Sequence, residues 1–338
     1  MVTVPFAILL IIFFCAKISP KGTYNDDYLS LENTTSLRGM CALLVTMQHI
    51  SAYDHDEWTA GFMYIGFLST SIFFFLSGYG LMYGTVNKKR YLRNFLKNRL
   101  ISLLVPYLFA NVIYLGIRQA LGVETTFVSF INSYKTGEPY VSFSWYIVSI
   151  IYFYVTFYMT FNVFKRNIAV FLTLPISILY IYLVKKAGFD NYWYTTAFCF
   201  SGGVIWYHFK DTLTLVVRRQ GFLKVVTMFG ITVALLIATF KNEYFYVAGS
   251  NITAIVFQLF MMMCLQKVKI HNFVLKYIGK ISFEFYMVHG IVITLLNGYL
   301  KLNGNIYVYF TLLASVLLAS VLYAADRVAV KWLTQKGD

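Results

Sequence analysis

The feature that most constrains the fold of this chain is a succession of apolar segments, each long enough to cross a lipid bilayer. A spanning helix takes about 20 apolar residues, and only helices or closed barrels satisfy all backbone groups in lipid. Short connections separate the segments, which predicts one all-α, polytopic membrane helical bundle. The ten predicted core spans are 36–53, 62–83, 100–120, 142–164, 168–184, 192–208, 223–240, 245–265, 281–300 and 306–325.

Composition excludes a soluble fold. Only 12% of the 338 residues are charged, whereas about a quarter are charged in a soluble domain. The mean hydropathy is +0.65, and 59% of the residues are hydrophobic. The core of a soluble domain could not enclose that much apolar surface, so the lipid bilayer is the expected environment.

The basic residues predict the orientation of the bundle. Lys and Arg number 28 against 14 acidic residues, and no nucleic-acid motif accompanies this excess, so we expect no nucleic-acid partner. The loop 84–99 is strongly basic, and cytosolic loops of membrane proteins carry the excess of Lys and Arg. With that loop inside, the C-terminus is cytosolic and the N-terminus extracytoplasmic. All but six of the basic residues are then cytosolic; the six are Arg118, Lys135, Lys185, Lys186, Lys241 and Lys301.

The four cysteines do not indicate a disulfide framework or a metal site. Cys15, Cys41, Cys199 and Cys264 all lie in apolar runs and show no paired spacing. We therefore expect neither a bound metal nor a bound cofactor.

An additional helix precedes the ten core spans. The run from residue 2 to about residue 18 is apolar, but it has no basic leader and no small-residue cleavage site. This pattern predicts a retained N-terminal transmembrane helix, followed by a polar linker up to residue 35. The remainder, 36–338, is predicted to be one membrane domain, whose first helix is capped by Thr34, Thr35 and Ser36.

The first core span carries two ionisable side chains on one face. Arg38 and His49 are eleven residues apart, which is three helical turns plus roughly 20°, or about 16 Å along the axis. His49 lies roughly 19 Å into its span and His289 roughly 12–15 Å into the span 281–300, both counted from the cytosolic side. Ionisable groups inside a membrane helix are costly and indicate function. The similar depth of the two histidines predicts a polar cavity inside the bundle.

Five motifs in one order resemble those of the acyltransferase-3 family of integral-membrane acyltransferases. The first is the arginine and histidine pair just described, and the resemblance extends from about residue 36 to residue 327. The other four are FFFLSGY at 73–79, YLRNFLKNRLISLLVPY at 91–107, SWY at 144–146 and ISFEFYMVH at 281–289. The family often has Arg-x-x-Arg before the Pro-Tyr, whereas here Arg99 is followed by Ser102.

The resemblance implies an enzyme that transfers an acyl group, most simply an O-acetyltransferase. The implied donor is cytosolic acetyl-coenzyme A (acetyl-CoA), a co-substrate, and the implied acceptor is a hydroxyl of a cell-surface polysaccharide or lipid-linked glycan. His49 would act as a general base or carry the acyl group covalently, and the sequence leaves both open. Arg38 would bind a donor phosphate, although it could instead be a positive anchor at the membrane surface. Lys97, Arg99 and Ser77 complete the predicted donor site.

Four further residues are predicted to line the acceptor side of the cavity: Trp145, Tyr286, His289 and Glu284. Trp145 could stack on a sugar ring or anchor its helix at the membrane interface. Tyr286 is one turn from His289 and could donate a hydrogen bond into the cavity. Glu284 lies nearer the cytosolic end and could pair with a basic neighbour.

Two other classes of function fit the same features. Intramembrane His and Arg also mark substrate pathways in secondary transporters, here for a glycan or a small anionic solute. The sequence shows no inverted repeat or paired broken helices of the kind common in transporters. A receptor or assembly factor could also retain the fold without the chemistry. We expect a multi-pass protein of the plasma or inner membrane in each case.

Overall fold

The computed structural model describes residues 3–53, 57–218, 222–270 and 272–335, and for residues 3–6, 57, 222, 223 and 335 only the backbone. The chain is 77% helical, which confirms the predicted all-α bundle. The helices are α1 (Thr3–Phe13), α2 (Leu31–Ser51), α3 (Glu57–Ala60), α4 (Gly66–Asn87), α5 (Phe95–Ala120), α6 (Phe127–Lys135), α7 (Trp145–Val163), α8 (Arg166–Lys186), α9 (Phe198–His208), α10 (Lys210–Arg218), α11 (Phe222–Lys241), α12 (Tyr246–Leu265), α13 (Phe273–Lys280), α14 (Ser282–Ile293) and α15 (Gly304–Gln335). A 3-10 turn at Asn191–Trp193 precedes α9, and a π-helical turn at Thr294–Tyr299 extends α14.

Seven helices in the described part of the chain are long and apolar enough to cross a membrane: α4, α5, α7, α8, α11, α12 and α15. An eighth span arises if α13 and α14, which meet at a bend of 81°, are counted together. Each predicted core span coincides with a helix, but α9 has only 11 residues, and α2 does not pass the same test. The count of ten therefore stays a prediction. The N-terminal helix α1 also has only 11 residues, about 16 Å of helix.

Helix α2 lies at the centre of the fold and packs against α4, α13 and α14. It begins at Leu31, so the predicted cap at residues 34–36 is wrong. Ser30 is the N-cap, and its hydroxyl accepts a hydrogen bond from the backbone N–H of Asn33 at 3.4 Å. The hydroxyls of Thr34 and Thr35 instead donate to the carbonyls of Ser30 and Leu31, four residues earlier, as they do inside a helix.

Glycines bring the central helices into backbone contact. A Cβ at Gly39 of α2 would collide with the carbonyl of Leu275 in α13, and one at Gly279 of α13 would collide with the carbonyl of Thr35. Gly203 of α9 lies in the same way against the carbonyl of Phe75 in α4. Small residues at such points let membrane helices approach closely.

The linker after α1 docks on the bundle. Its strand β1 (Lys17–Ile18) pairs antiparallel with β2 (Val268–Lys269), which lies between α12 and α13. Three ion pairs hold the linker and the start of α2: Asp26 with Arg218, Asp27 with Lys269, and Glu32 with Lys276. We call this end of the bundle, marked by Lys88, Arg218, Lys269 and Lys276, the basic end. The division between residues 35 and 36 into two units stays a prediction.

We predict that Gly203→Ala destabilises the protein, because the new Cβ meets the carbonyl of Phe75 and forces α4 and α9 apart. Overpacking of this kind costs about 1–3 kcal/mol. Thermal unfolding in detergent should show a lower melting temperature. Gly230→Ala in α11 is the matched control, since nothing lies within 4 Å of its Cβ position. An unchanged melting temperature for Gly203→Ala would contradict the close contact.

We predict that docking of the linker weakens in acid. Lys269 donates a hydrogen bond to Asp27 at 2.9 Å and lowers the pKa of that carboxyl below its ordinary value. Because the pKa is lower when the linker is docked, the carboxylate stabilises docking at every pH above its ordinary pKa. That contribution is lost as the pH falls through the lowered value, below about pH 4.

Protease cleavage within residues 19–27 measures this docking. Cleavage should increase in acid for the wild type and should be raised already at neutral pH in Asp27→Asn. The pair is exposed, so the effect is expected to be small. Glu124→Gln, which removes a carboxylate outside the linker, is the control. Equal cleavage of Asp27→Asn and the wild type at neutral pH would contradict the role of the ion pair.

Candidate functional site

A long cavity of about 1180 Å³ begins among exposed residues of the basic end and runs into the bundle. Along α2 it is lined from Leu31 to Val45, about 21 Å of helix. Lys88, Lys210 and Arg218 line its mouth together with Asp26 and Asp27 of the docked linker; its inner lining includes Val45, Thr70, Phe73, Tyr146 and Tyr286. We call it the main cavity. A space of this shape suits an elongated ligand with a charged end and a narrow tail.

A second cavity of about 700 Å³ lies beside the main cavity. The two share part of their lining, including Arg38, Arg99 and Leu103. The structure thus brings the guanidinium of α2 and that of α5 to one place, although 61 residues separate them in the chain. Both groups face interior space at the junction of the two cavities.

Among the described residues, no carboxylate forms a salt bridge with either arginine. Arg38 donates to the hydroxyl of Thr35 at 3.1 Å, and Arg99 donates to the hydroxyl of Tyr91 at 2.8 Å. Within the described ranges neither forms a salt bridge, and the Nε of Arg38 is buried without a partner. Two half-buried cations near each other repel, so the arrangement favours an anionic ligand between them.

The inner end of the main cavity is lined by hydroxyl groups. Ser77 of α4 lies 3.5 Å from the hydroxyl of Tyr146 in α7, and both line the cavity. The ring of Tyr146 packs edge-on against Tyr286 of α14, with centroids 5.8 Å apart. Tyr286 in turn lies 5.7 Å from the ring of His289. Tyr286 therefore lies between the main cavity and His289.

The two predicted histidines meet just beyond this end. Their ring centroids are 5.1 Å apart, at an interplanar angle of 27°. His49 lies one turn beyond Val45 on the same face of α2, so the polar stripe of that helix continues from the cavity to the histidine pair. Neither histidine lines the main or the second cavity, whereas Tyr286, which contacts His289, does line the main cavity.

Hydrogen bonding defines the tautomer of His289. Its Nδ1 lies 3.3 Å from the carbonyl oxygen of Phe285, which can only accept. The proton of the neutral ring is therefore on Nδ1, and the lone pair is on Nε2. That Nε2 is buried and has no partner within the described ranges, so it can accept a proton.

Phe143 belongs to the same cluster, and sequence reasoning missed it. Its ring stacks on His49 with centroids 3.6 Å apart and an interplanar angle of 17°, and it lies 5.4 Å from His289. The residue precedes the predicted SWY motif, and nothing in its sequence context distinguishes it from other aromatic residues of the chain. Only the fold shows its position.

The remaining predicted site residues lie elsewhere. Glu284 lines the second cavity and contacts the carboxyl group of Asp326, and the two side chains form a buried carboxyl pair. Trp145 packs among Phe74, Tyr192 and Trp193 rather than at the cavity surface. Lys97 is exposed and lines neither cavity. The described residues include no cluster of three or more His, Cys, Asp or Glu suited to a metal ion.

Comparison with known proteins identifies the family. A family model described as an acyltransferase domain, that of the acyltransferase-3 family, matches residues 34–325 of the 338-residue chain. No curated protein and no solved structure matches the chain. The match covers the helices that enclose both cavities and the histidine pair. The chain therefore belongs to the acyltransferase-3 family of membrane acyltransferases.

Proposed function

We propose that the protein transfers an acetyl group from cytosolic acetyl-CoA to a hydroxyl of a cell-surface polysaccharide or a lipid-linked glycan. The observation that carries the proposal is the pair Arg38 and Arg99, half-buried and without a carboxylate partner in the described ranges, in a cavity that leads towards two histidines. Family membership supports acyl transfer. The donor and the acceptor are those that the resemblance to the family implies, and they are part of the proposal.

The main cavity fits a donor of the coenzyme A type. Such a donor has a phosphate-rich nucleotide at one end and a long, narrow arm that ends in a thioester. Arg38 and Arg99 would bind its phosphates, because guanidinium groups match phosphate oxygens in charge and geometry. The arm would extend along α2 past Ser77 and Tyr146, and the thioester would arrive at Tyr286.

His49 would then perform the transfer in one of two ways. As a general base, it takes the proton of the acceptor hydroxyl while that oxygen attacks the thioester carbonyl. The carbon–sulfur bond breaks, the sulfur leaves with its electron pair, and the imidazolium returns the proton to it. Alternatively, a ring nitrogen of His49 attacks the carbonyl, the thiolate leaves, and the acceptor hydroxyl takes the acyl group from the ring. In this second route the proton of the acceptor hydroxyl would pass to Nε2 of His289, which has no partner within the described ranges, and from there to the thiolate. The ring centroids of His49 and His289 are 5.1 Å apart.

The geometry supports transfer across the membrane. The loops predicted to be cytosolic contribute Lys88 and Arg218 to the mouth of the main cavity and Lys276 to the second cavity, so they meet at the basic end. A donor from the cytosol would enter there. The histidine pair lies at the far end of the cavity, where an acceptor could approach from the opposite side.

We predict that Arg38→Ala and His49→Ala separate binding from turnover. Arg38→Ala should weaken acetyl-CoA binding roughly 10- to 100-fold, the loss expected for hydrogen bonds to a charged group. His49→Ala should leave binding unchanged and slow hydrolysis of acetyl-CoA at least 100-fold, because a positioned base contributes that much. Isothermal titration and thiol release by the purified protein measure the two quantities.

Two matched variants test whether loss of any arginine or any histidine would have the same effects. Arg93→Ala removes an exposed arginine that lines neither cavity, and His208→Ala removes a histidine at the end of α9 that also lines neither. Both should behave as the wild type. If the wild-type protein neither binds nor hydrolyses acetyl-CoA, the proposed donor is wrong, and transport of a glycan or anionic solute becomes the function to test.

A further inference from the structure

Phe143 has a backbone conformation that bulky residues rarely adopt. Its φ is +64°, in the left-handed region that favours glycine. Holding a non-glycine residue there is unfavourable, and such strain persists only where surrounding contacts enforce it. Phe143 lies in the segment between α6 and α7, directly against the histidine pair.

Two contacts enforce this conformation. The hydroxyl of Tyr286 donates a hydrogen bond to the carbonyl oxygen of Phe143. Gly290 of α14 lies beneath the segment, and a Cβ there would collide with Ser142 and crowd the ring of Phe143. Tyr286 and Gly290 are one turn apart on α14, so this helix fixes both the backbone and the ring of Phe143.

The fixed ring occupies the space at the reactive imidazole. At 3.6 Å between centroids and 17° between planes, Phe143 covers one face of His49 in van der Waals contact. His289 lies beside both rings, at 5.1 Å from His49 and 5.4 Å from Phe143. A thioester carbonyl that reacts at His49 must come within about 3–3.5 Å of a ring nitrogen. Phe143 lies against that imidazole, so it is one of the groups that the acyl tail of a reacting thioester would meet.

We propose that Phe143 limits the length of the acyl group that the protein transfers. The proposal rests on acyl-CoA being the donor, as set out above, and it names the substrate class as short acyl thioesters. The methyl of an acetyl group is the smallest acyl tail, so it requires the least displacement of the stacked rings. A longer chain has to displace Phe143, which breaks the hydrogen bond from Tyr286 and presses the segment against Gly290. Phe143 is thus a specificity-determining residue, and Tyr286 positions it.

The test is hydrolysis of acetyl-, butyryl- and hexanoyl-CoA by the purified full chain. The wild type should show kcat/KM for acetyl-CoA at least tenfold above that for hexanoyl-CoA. Phe143→Gly removes the ring and suits the positive φ, so it should shift this ratio at least tenfold towards hexanoyl-CoA. Binding of free coenzyme A, which has no acyl group, should be unchanged in the variant.

Phe157→Ala is the matched control. Phe157 is a fully buried phenylalanine that packs against Phe161 and Phe200 rather than against the histidine pair, so the chain-length ratio should stay at the wild-type value. An unchanged ratio in folded Phe143→Gly would overturn the proposal. If that variant does not fold, the wild-type series decides, because equal turnover of acetyl- and hexanoyl-CoA also overturns it. If the proposed donor is wrong, the result is distinguishable, because then no acyl-CoA binds or reacts, whatever the length of its acyl chain.

Discussion

The arrangement of the helices follows from the free-energy cost of placing ionisable side chains of one helix inside a bilayer. Helix α2 carries Arg38 and His49 on one stripe, and exposure of that stripe to lipid would be strongly unfavourable. The protein therefore surrounds α2, which is buried along most of its length. Glycines at the contacts with α13 permit this enclosure, because they let backbone lie against backbone. Apolar faces of the outer helices remain free to meet lipid.

Enclosure of the stripe also creates the site. Interior space remains where the polar face of α2 meets α5 and α14, and Arg38 and Arg99 face it without a carboxylate partner in the described ranges. Because the two arginines have no carboxylate partner there, they favour the binding of an anionic ligand in the cavity. The same stripe carries His49 one turn beyond the cavity, against His289. One helix thus links the anion-binding position to the titratable pair.

Part of this arrangement could be predicted from the sequence. Helical periodicity placed Arg38 and His49 on one face, and the similar depth of His49 and His289 predicted a polar cavity inside the bundle. The structure brings the two rings to 5.1 Å, although neither histidine lines the main or the second cavity. Their chemical roles stay predictions. Nothing in the sequence indicated the backbone conformation of Phe143, because a left-handed conformation is expected at glycine or asparagine and not at phenylalanine. Hydropathy also says nothing about how the linker pairs with β2, which depends on contacts across some 250 residues of chain.

A structure determined by electron cryomicroscopy with a non-hydrolysable thioether analogue of acetyl-CoA tests the central claim most directly. We expect the phosphates between Arg38 and Arg99, the arm along α2 past Ser77, and the acyl end beside Tyr286 and the histidine pair. Density for the nucleotide at the opposite end of the bundle, or for the acyl end away from His49 and His289, would contradict this arrangement. The first result would mean that Arg38 and Arg99 do not bind the donor. The second would mean that the histidines do not perform the transfer.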